Sequence, residues 1–180
     1  KGHDVIYWTN EIKTNFSINP KIQIKKIPIP TVVGTILFTS LQRFETDILI
    51  VDLVVMAFFA SRFNRKKLLY LAQGYDVSYH KNFILASFIR HCYKRVLHDL
   101  AIPTIAVAQG LAETLKTYQP AQLQMIPNGV SLKNFYHDQI SPLRQTRTKK
   151  FVILLFVRKD FAKGIDVAAA ALKKLAQIRT

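Results

Sequence analysis

The fold is decided by residues 47–72, which read DILIVDLVVMAFFASRFNRKKLLYLA. Apolar runs at 47–51 and 67–72 predict two strands, and the apolar segment between them, 53–63, has the length of a helix. A strand, a helix and a second strand in succession are typical of a βαβ unit, in which the two strands run parallel.

The same alternation continues on both sides of this unit. The predicted strands are continuous apolar runs, which is the pattern of a sheet covered by helices on both faces. We therefore expect an α/β fold with a doubly wound, Rossmann-like parallel sheet, whose ligands bind beyond the carboxyl ends of the strands. Further strands are predicted at 4–9, 104–108, 123–126 and 151–157, and further helices near 33–43, 83–100, 110–118 and 163–178.

The composition is that of a folded, strongly basic protein. The chain has 180 residues, of which 49% are hydrophobic, and this excludes a disordered chain. It carries 26 Lys and Arg against 11 Asp and Glu, a formal net charge of +15. Such a charge favours anionic partners, whether nucleic acid, acidic lipid or phosphorylated substrates. The basic residues fall in separated groups, which is more typical of solvated surfaces than of one binding arm.

The cysteine content and the apolar runs favour a cytoplasmic protein. Cys92 is the single cysteine, so no internal disulfide can form. The opening residues, KGHD, are unlike an apolar signal segment. The longest apolar run, 48–60, is interrupted by Asp52 and is shorter than the roughly 20 residues of a membrane-spanning helix.

The chain is predicted to contain one domain and the start of another. Residues 134–150 are polar, basic and without an apolar period, and they predict a linker. The linker separates a first domain, 1–133, from 151–180, which holds one predicted strand and one predicted helix. Because one strand and one helix cannot bury their own apolar surface, 151–180 is predicted to open a second Rossmann-like domain.

Two connections between elements have the residue types of a binding site. Between the predicted strand ending at Val157 and the helix beginning near Lys163 lie Arg158 and Lys159, where the helix N-terminus already favours an anion such as a diphosphate. Asn128-Gly129 forms a predicted turn directly after the strand at 123–126. Taken alone, each segment also fits an ordinary solvated connection.

Together, the order and spacing of these segments resemble glycosyltransferase family 4, which has the GT-B fold of two Rossmann-like domains. KGHDV at 1–5 is similar to the start of the family's second strand, and 105–115 is similar to the strand and helix that precede its PNGV turn, here 127–130. The apolar strand ending in Arg158, with Lys163-Gly164 after it, completes the pattern. The resemblance covers nearly the whole chain.

The resemblance implies an enzyme and its site. Residues 1–133 would be the acceptor-side domain, lacking its first strand, and 151–180 would begin the donor-binding domain. The implied reaction moves a sugar from a nucleotide-diphosphate donor to a glycan or lipid-linked acceptor, with retention and without a metal, another cofactor or a nucleic-acid partner. The implied residues are Arg158 and Lys163 on the donor diphosphate, Gln73 and Asp76 in catalysis, and Gly74, Tyr75, Asn128 and Gly129 lining the cleft.

The sequence departs from the family pattern at two positions. Val157 stands where the family usually has glycine, and Gln73 stands where a histidine commonly follows the strand. Glutamine can hydrogen-bond a sugar hydroxyl but cannot shuttle a proton near neutral pH. The family's Gly-rich loop and its donor-sugar glutamate pair lie outside these 180 residues, so this chain alone is expected to be inactive.

The predicted helix at 83–100 leaves a second function open. Its apolar face, predicted to be core, comprises Leu85, Phe88, Ile89, Cys92, Val96 and Leu100. Arg90, Lys94 and His98 lie opposite and suggest contact with acidic lipid, which would place the protein at the inner face of the plasma membrane. The alternative to an enzyme is therefore a basic module that binds nucleic acid or an acidic membrane surface without catalysis.

Overall fold

The computed structural model describes residues 2–10, 19–29, 31–129 and 164–178. Near the start of the chain, β1 (Val5–Thr9) pairs with β2 (Ile22–Lys26) in a parallel, two-stranded sheet. The strand at β2 was not predicted, because IQIKK is short and three of its five residues are polar. Trp8 of β1 packs against Phe38, with ring centroids 5.0 Å apart.

A four-stranded parallel sheet forms the centre of the fold. Its strands are β3 (Leu49–Val51), β4 (Leu68–Ala72), β5 (Thr104–Ala106) and β6 (Leu123–Met125), and they lie side by side in chain order. In the register, Val51 lies opposite Tyr70, and Tyr70 lies opposite Thr104. The predicted α/β class with a parallel sheet is confirmed, and all four strands begin or end within two residues of the predicted bounds.

Helices connect these strands. The first four helices were predicted at their positions, with ends that differ by at most two residues, except that the third helix ends at Tyr93, seven residues before the predicted end at 100. They are α1 (Val32–Leu41), α2 (Val54–Asn64), α3 (Phe83–Tyr93) and α4 (Gln109–Lys116), followed later in the chain by α5 (Ile165–Ile178). Short 3-10 turns cover Arg65–Lys67 and Asp76–Tyr79, and a π-helical turn, Lys94–Asp99, continues α3.

The core lies between the four-stranded sheet and the helices α2 and α3. Tyr70 and Ala72 of β4 are fully buried there, together with Val54 and Ala57 of α2. Small side chains on α2 let α3 pack close to it, which is the dense packing expected of a protein interior.

The buried face of α3 differs from the prediction. Leu85 and Phe88, predicted to be core, are exposed. The buried face instead includes Tyr93. Its hydroxyl group is hydrogen-bonded inside the protein, which allows this polar group to be buried. The buried residues of this helix and its π-helical continuation are Ala86, Ile89, Cys92, Tyr93, Val96 and Leu97.

The chain forms two compact units, Lys1–Pro127 and Asn128–Thr180. In the second unit, the structure describes Asn128, Gly129 and residues 164–178. The predicted linker at 134–150 and the predicted strand at 151–157 lie outside the described residues. Among the described helices, none is long and apolar enough to cross a membrane.

Candidate functional site

The carboxyl ends of β3 and β4 lie next to each other and carry a group of polar residues. Asp52 directly follows Val51 of β3, and the four residues from Gln73 to Asp76 directly follow Ala72 of β4. Because the two strands are parallel neighbours, both connections leave the same edge of the sheet.

Asp76 is buried and its carboxylate caps helix α2. Its Oδ2 atom accepts a hydrogen bond of 2.9 Å from the backbone N–H group of Val54, the first residue of α2. Leu53, which occupies the N-cap position, has no side-chain acceptor to offer. Asp76 therefore supplies from another part of the chain the acceptor that a serine or aspartate usually supplies locally.

The environment of Asp76 favours its protonated form. Burial is the main reason why its pKa rises from 3.8 to about 6. The hydrogen bond from Val54 acts in the opposite direction, and so does His80, whereas the negative charge of Asp52 raises the pKa. A carboxyl group that titrates near 6 is in the range useful for general acid–base chemistry near neutral pH.

Tyr93 of α3 fixes the loop that contains Asp76. The backbone N–H group of Asp76 donates to Tyr93 Oη over 3.0 Å, and Tyr93 Oη in turn donates to the carbonyl oxygen of Gly74 over 3.5 Å. Tyr70 Oη lies 3.2 Å from Tyr93 Oη. One phenol group thus holds both sides of the turn after β4.

Two further tyrosines pack around Tyr93. The rings of Tyr93 and Tyr118 are stacked with centroids 5.1 Å apart, and the ring of Tyr75 lies 5.3 Å from that of Tyr93. The hydroxyl groups of Tyr75 and Tyr118 are hydrogen-bonded over 2.6 Å. Burial raises the pKa of Tyr70, Tyr93 and Tyr118 above the usual range of a phenol, so these hydroxyl groups stay protonated near neutral pH.

Gln73 and Gly74 form the outer part of this loop. Gln73 is exposed, and its amide group faces solvent as both donor and acceptor. A Cβ atom at Gly74 would lie 2.6 Å from Tyr79 Oη, so a larger residue here would displace the exposed side chain of Tyr79. The loop therefore presents an exposed amide beside a half-buried tyrosine and a buried acid.

Gln73 and Asp76, predicted to be catalytic, and Gly74 and Tyr75, predicted to line the cleft, are consecutive in the chain and form the loop after β4. Asn128 and Gly129 are exposed and belong to the second compact unit. Arg158 and Lys163, the predicted diphosphate-binding residues, lie outside the described residues. Gly164, next to Lys163, has a φ of 61°, which is a left-handed conformation that favours glycine.

Sequence reasoning missed four residues that shape this loop. Asp52, Tyr93 and Tyr118 act on Asp76 or Tyr75 from three other parts of the chain, and His80 acts on Asp76 from the end of the same 3-10 turn. The sequence did contain a pattern that could have identified Asp52, since this acidic residue directly follows a predicted strand. No local pattern marks Tyr93 or Tyr118, because their partners lie 17 and 43 residues away in the chain.

Among the described residues, no group of three or more His, Cys, Asp or Glu side chains is placed to hold a metal ion. Comparisons of the chain with protein-family models, with curated proteins and with solved structures find no match.

Proposed function

We propose that this chain is part of a glycosyltransferase of GT-B family 4 type. It would transfer a sugar, with retention and without a metal, from a nucleotide-diphosphate donor to a glycan or lipid-linked acceptor. The observation that carries the proposal is that Gln73, Tyr75 and Asp76 directly follow β4, at the carboxyl edge of the parallel sheet. In a parallel sheet this edge is the usual place of a ligand.

The residue types of this group suit a sugar. The exposed amide of Gln73 offers a donor and an acceptor to a hydroxyl group, and the ring of Tyr75 offers an apolar face to a pyranose. Asp76 is the acid of the group, but its Oδ2 atom is occupied by the N–H group of Val54. We therefore assign Asp76 the role of positioning the loop, in addition to any proton transfer by its second oxygen.

The arrangement of strands supports a Rossmann-like domain without its first strand. In the doubly wound order 3-2-1-4-5-6, removal of strand 1 leaves strands 3 and 2 as a pair and the remaining strands as a separate run. The described strands form a parallel pair, β1 and β2, and a separate run of four, β3 to β6, which is one strand more than this order leaves.

The donor side rests on Arg158 and Lys163. Negative charge develops on the diphosphate as the bond to the sugar breaks, and fixed cations at that place stabilise the transition state. Arginine can contact two phosphate oxygens at once, whereas lysine acts as a point charge. Two such residues would do the work that a divalent ion does in other transferases.

The proposal is tested by calorimetry with UDP, GDP and the corresponding nucleosides. We expect the wild-type chain to bind one of the diphosphates at least tenfold more tightly than its nucleoside, which corresponds to about 1.4 kcal/mol. Arg158→Ala should abolish this difference, while Lys150→Ala, a loss of one positive charge in the predicted linker, should leave it unchanged. Equal binding of diphosphate and nucleoside by the wild-type chain would contradict the proposal.

One observation favours the alternative of a basic binding module. Residues 62–67 line a shallow concavity of about 410 Å³ that carries four cationic side chains. Two of these cations already donate to backbone carbonyl groups: Arg65 Nε donates to the carbonyl oxygen of Leu100 over 3.1 Å, and Lys67 Nζ donates to that of Phe44. A module of this kind would bind any polyanion with an affinity that falls steeply as salt rises, and this distinguishes it from a transferase.

A further inference from the structure

Asp76 is a buried acid in a poorly compensated environment. The charged groups that act on its carboxylate are Asp52, from the connection after β3, and His80, at the end of the same 3-10 turn. Tyr70 of β4 and Tyr93 of α3 are neutral phenol groups whose pKa the charge of Asp76 raises. Among the described residues, no lysine or arginine belongs to this set, although the chain has 26 of them. Buried charges in proteins are usually paired, so an ionised Asp76 lacks the partner that burial calls for.

The hydrogen bonds of Asp76 join three segments of the chain. Its Oδ2 atom accepts from the N–H group of Val54 at the start of α2, and its own N–H group donates to Tyr93 of α3. Leu53 has no side-chain acceptor, so the start of α2 depends on this carboxylate for its cap. Release of Asp76 from its position breaks both bonds together.

The loop after β4 is anchored at Asp76. We call residues 73–80 the β4 loop. Asp76 and Val77 are its buried residues, and the others are half-buried or exposed. A segment that lies mostly outside the core can open while the sheet stays folded.

We propose that ionisation of Asp76 releases the β4 loop from the edge of the sheet. While the carboxyl group carries its proton, it is neutral and stays in its buried position, and the loop is closed. After the proton has left to solvent, opening of the loop brings the negative charge into water, where it is hydrated. Gln73 and Tyr75 belong to the loop, so opening would admit an acceptor to the proposed site or release one from it. That consequence rests on the proposed function, whereas the opening itself does not.

The direction of the pH dependence follows from proton binding. In the closed loop, burial and the charge of Asp52 raise the pKa of Asp76 from 3.8 to about 6, against the opposite effects of Val54 and His80. In the open loop the carboxyl group is in water, where its pKa returns toward 3.8. Proton binding therefore favours the closed loop at low pH, and this preference is lost as the pH rises through 6. Between pH 4 and pH 7, the equilibrium constant for opening should increase by up to about 50-fold.

Hydrogen exchange of single amides, followed by NMR on the full chain without a ligand, tests the release. The protection factors of the reporter amides, which are corrected for the intrinsic pH dependence of exchange, should fall together by up to about 50-fold from pH 4 to pH 7. The reporters are the hydrogen-bonded amides of Val54, Asp76, Ser78 and His80, whose acceptors belong to Asp76, Tyr93, Tyr75 and Val77 in that order. Constant protection of these amides in the wild type would overturn the proposal.

Ile102 distinguishes opening of the loop from unfolding of the whole domain. Its amide donates to Val96 over 3.0 Å, and its side chain is fully buried. At each pH, the reporters should be less protected than Ile102. Low concentrations of urea should accelerate exchange at Ile102 much more than at the reporters, because only global unfolding exposes a large surface. Equal protection and equal urea dependence at Ile102 and the reporters would mean that Asp76 reaches water only by global unfolding, which would also overturn the proposal.

Three substitutions identify the titrating group. Asp76→Asn keeps an amide oxygen that can accept from Val54 but cannot ionise, so the pH dependence of the reporters should disappear. Asp52→Asn removes a neighbouring negative charge and should move the midpoint to lower pH, whereas His80→Gln should move it to higher pH. Circular dichroism verifies that each variant is folded. A wild-type pH dependence in Asp76→Asn, or its loss in His80→Gln, would show that Asp76 does not control the loop.

Discussion

At the scale of single residues, Asp76 is both the most strongly perturbed acid near the candidate site and a structural cap. Its carboxylate accepts from Val54, and its N–H group donates to Tyr93. These two bonds fix the residue from both sides. Its position after β4 could be predicted from the sequence, because polar residues that follow a buried apolar strand lie at the carboxyl edge of the sheet. Its burial could not, because its contacts with Val54 and Tyr93 join residues 22 and 17 positions away in the chain.

The raised pKa of Asp76 predicts a pH-dependent stability. The pKa is about 6 in the folded state against 3.8 for the unfolded reference, so the folded chain binds the proton more tightly. The stabilisation that comes from this tighter proton binding is complete below pH 3.8 and is lost as the pH rises through 6. An asparagine does not ionise, so Asp76→Asn does not lose stability in this way as the pH rises. The free energy of unfolding of the variant, relative to that of the wild type, should therefore rise by up to about 3 kcal/mol between pH 4 and pH 7.

Urea unfolding of both proteins across this pH range measures the effect. Asp4→Asn, at an exposed carboxyl group, is the matched control, since the strongly basic chain itself changes stability with pH. A difference between Asp76→Asn and the wild type that stays constant from pH 4 to pH 7 would show that Asp76 is not held in a proton-favouring environment.

The hydroxyl group of Tyr93 is predicted to stabilise the loop. Tyr93→Phe keeps the stacked ring but leaves the buried N–H group of Asp76 without its acceptor, which should cost about 1–3 kcal/mol. Hydrogen exchange at the Asp76 amide should accelerate in the variant. Tyr79→Phe removes the hydroxyl group of a partly exposed tyrosine for which no hydrogen bond is described, and it should change stability by no more than about 0.5 kcal/mol. Equal effects of the two substitutions would argue against the hydrogen bond.

At the scale of elements, α3 shows what the sequence could and could not predict. The apolar period from Phe83 onward indicated a helix, and its start was predicted at the right residue. The orientation was only partly right: Ile89, Cys92 and Val96 are buried as predicted, but Leu85 and Phe88 are not. Hydrophobicity alone could not identify Tyr93 as a core residue, because its burial depends on hydrogen bonds to a loop far away in the chain.

The orientation of α3 can be tested by replacing an isoleucine with alanine at each of two positions, in separate variants. Ile89→Ala removes a fully buried side chain and should destabilise the protein by about 2–5 kcal/mol. Ile84→Ala, in the same helix, should change the stability by about 0.5 kcal/mol or less, because Ile84 faces solvent. Thermal or urea unfolding distinguishes these values. A larger loss for Ile84→Ala would mean that the helix is rotated relative to this structure.

At the scale of the whole molecule, the parallel sheet could be predicted from the sequence. The division of the strands into two separate sheets could not. Continuous apolar runs such as 47–51 are sufficient to predict a sheet covered by helices. The pairing of β1 with β2 could not be predicted, because the short, mostly polar β2 has no apolar run of its own. The donor side of the proposed enzyme still rests on Arg158 and Lys163, which the resemblance places after the strand at 151–157.

Hydrogen exchange with and without a saturating nucleoside diphosphate is the most direct test of the proposed sugar-nucleotide site. The proposal predicts protection of peptides that cover residues 156–166, where Arg158 and Lys163 would hold the diphosphate, and no protection of 62–67, the basic concavity of the alternative. Protection at 62–67 instead, or no protection anywhere at a saturating concentration of UDP and of GDP, would contradict it.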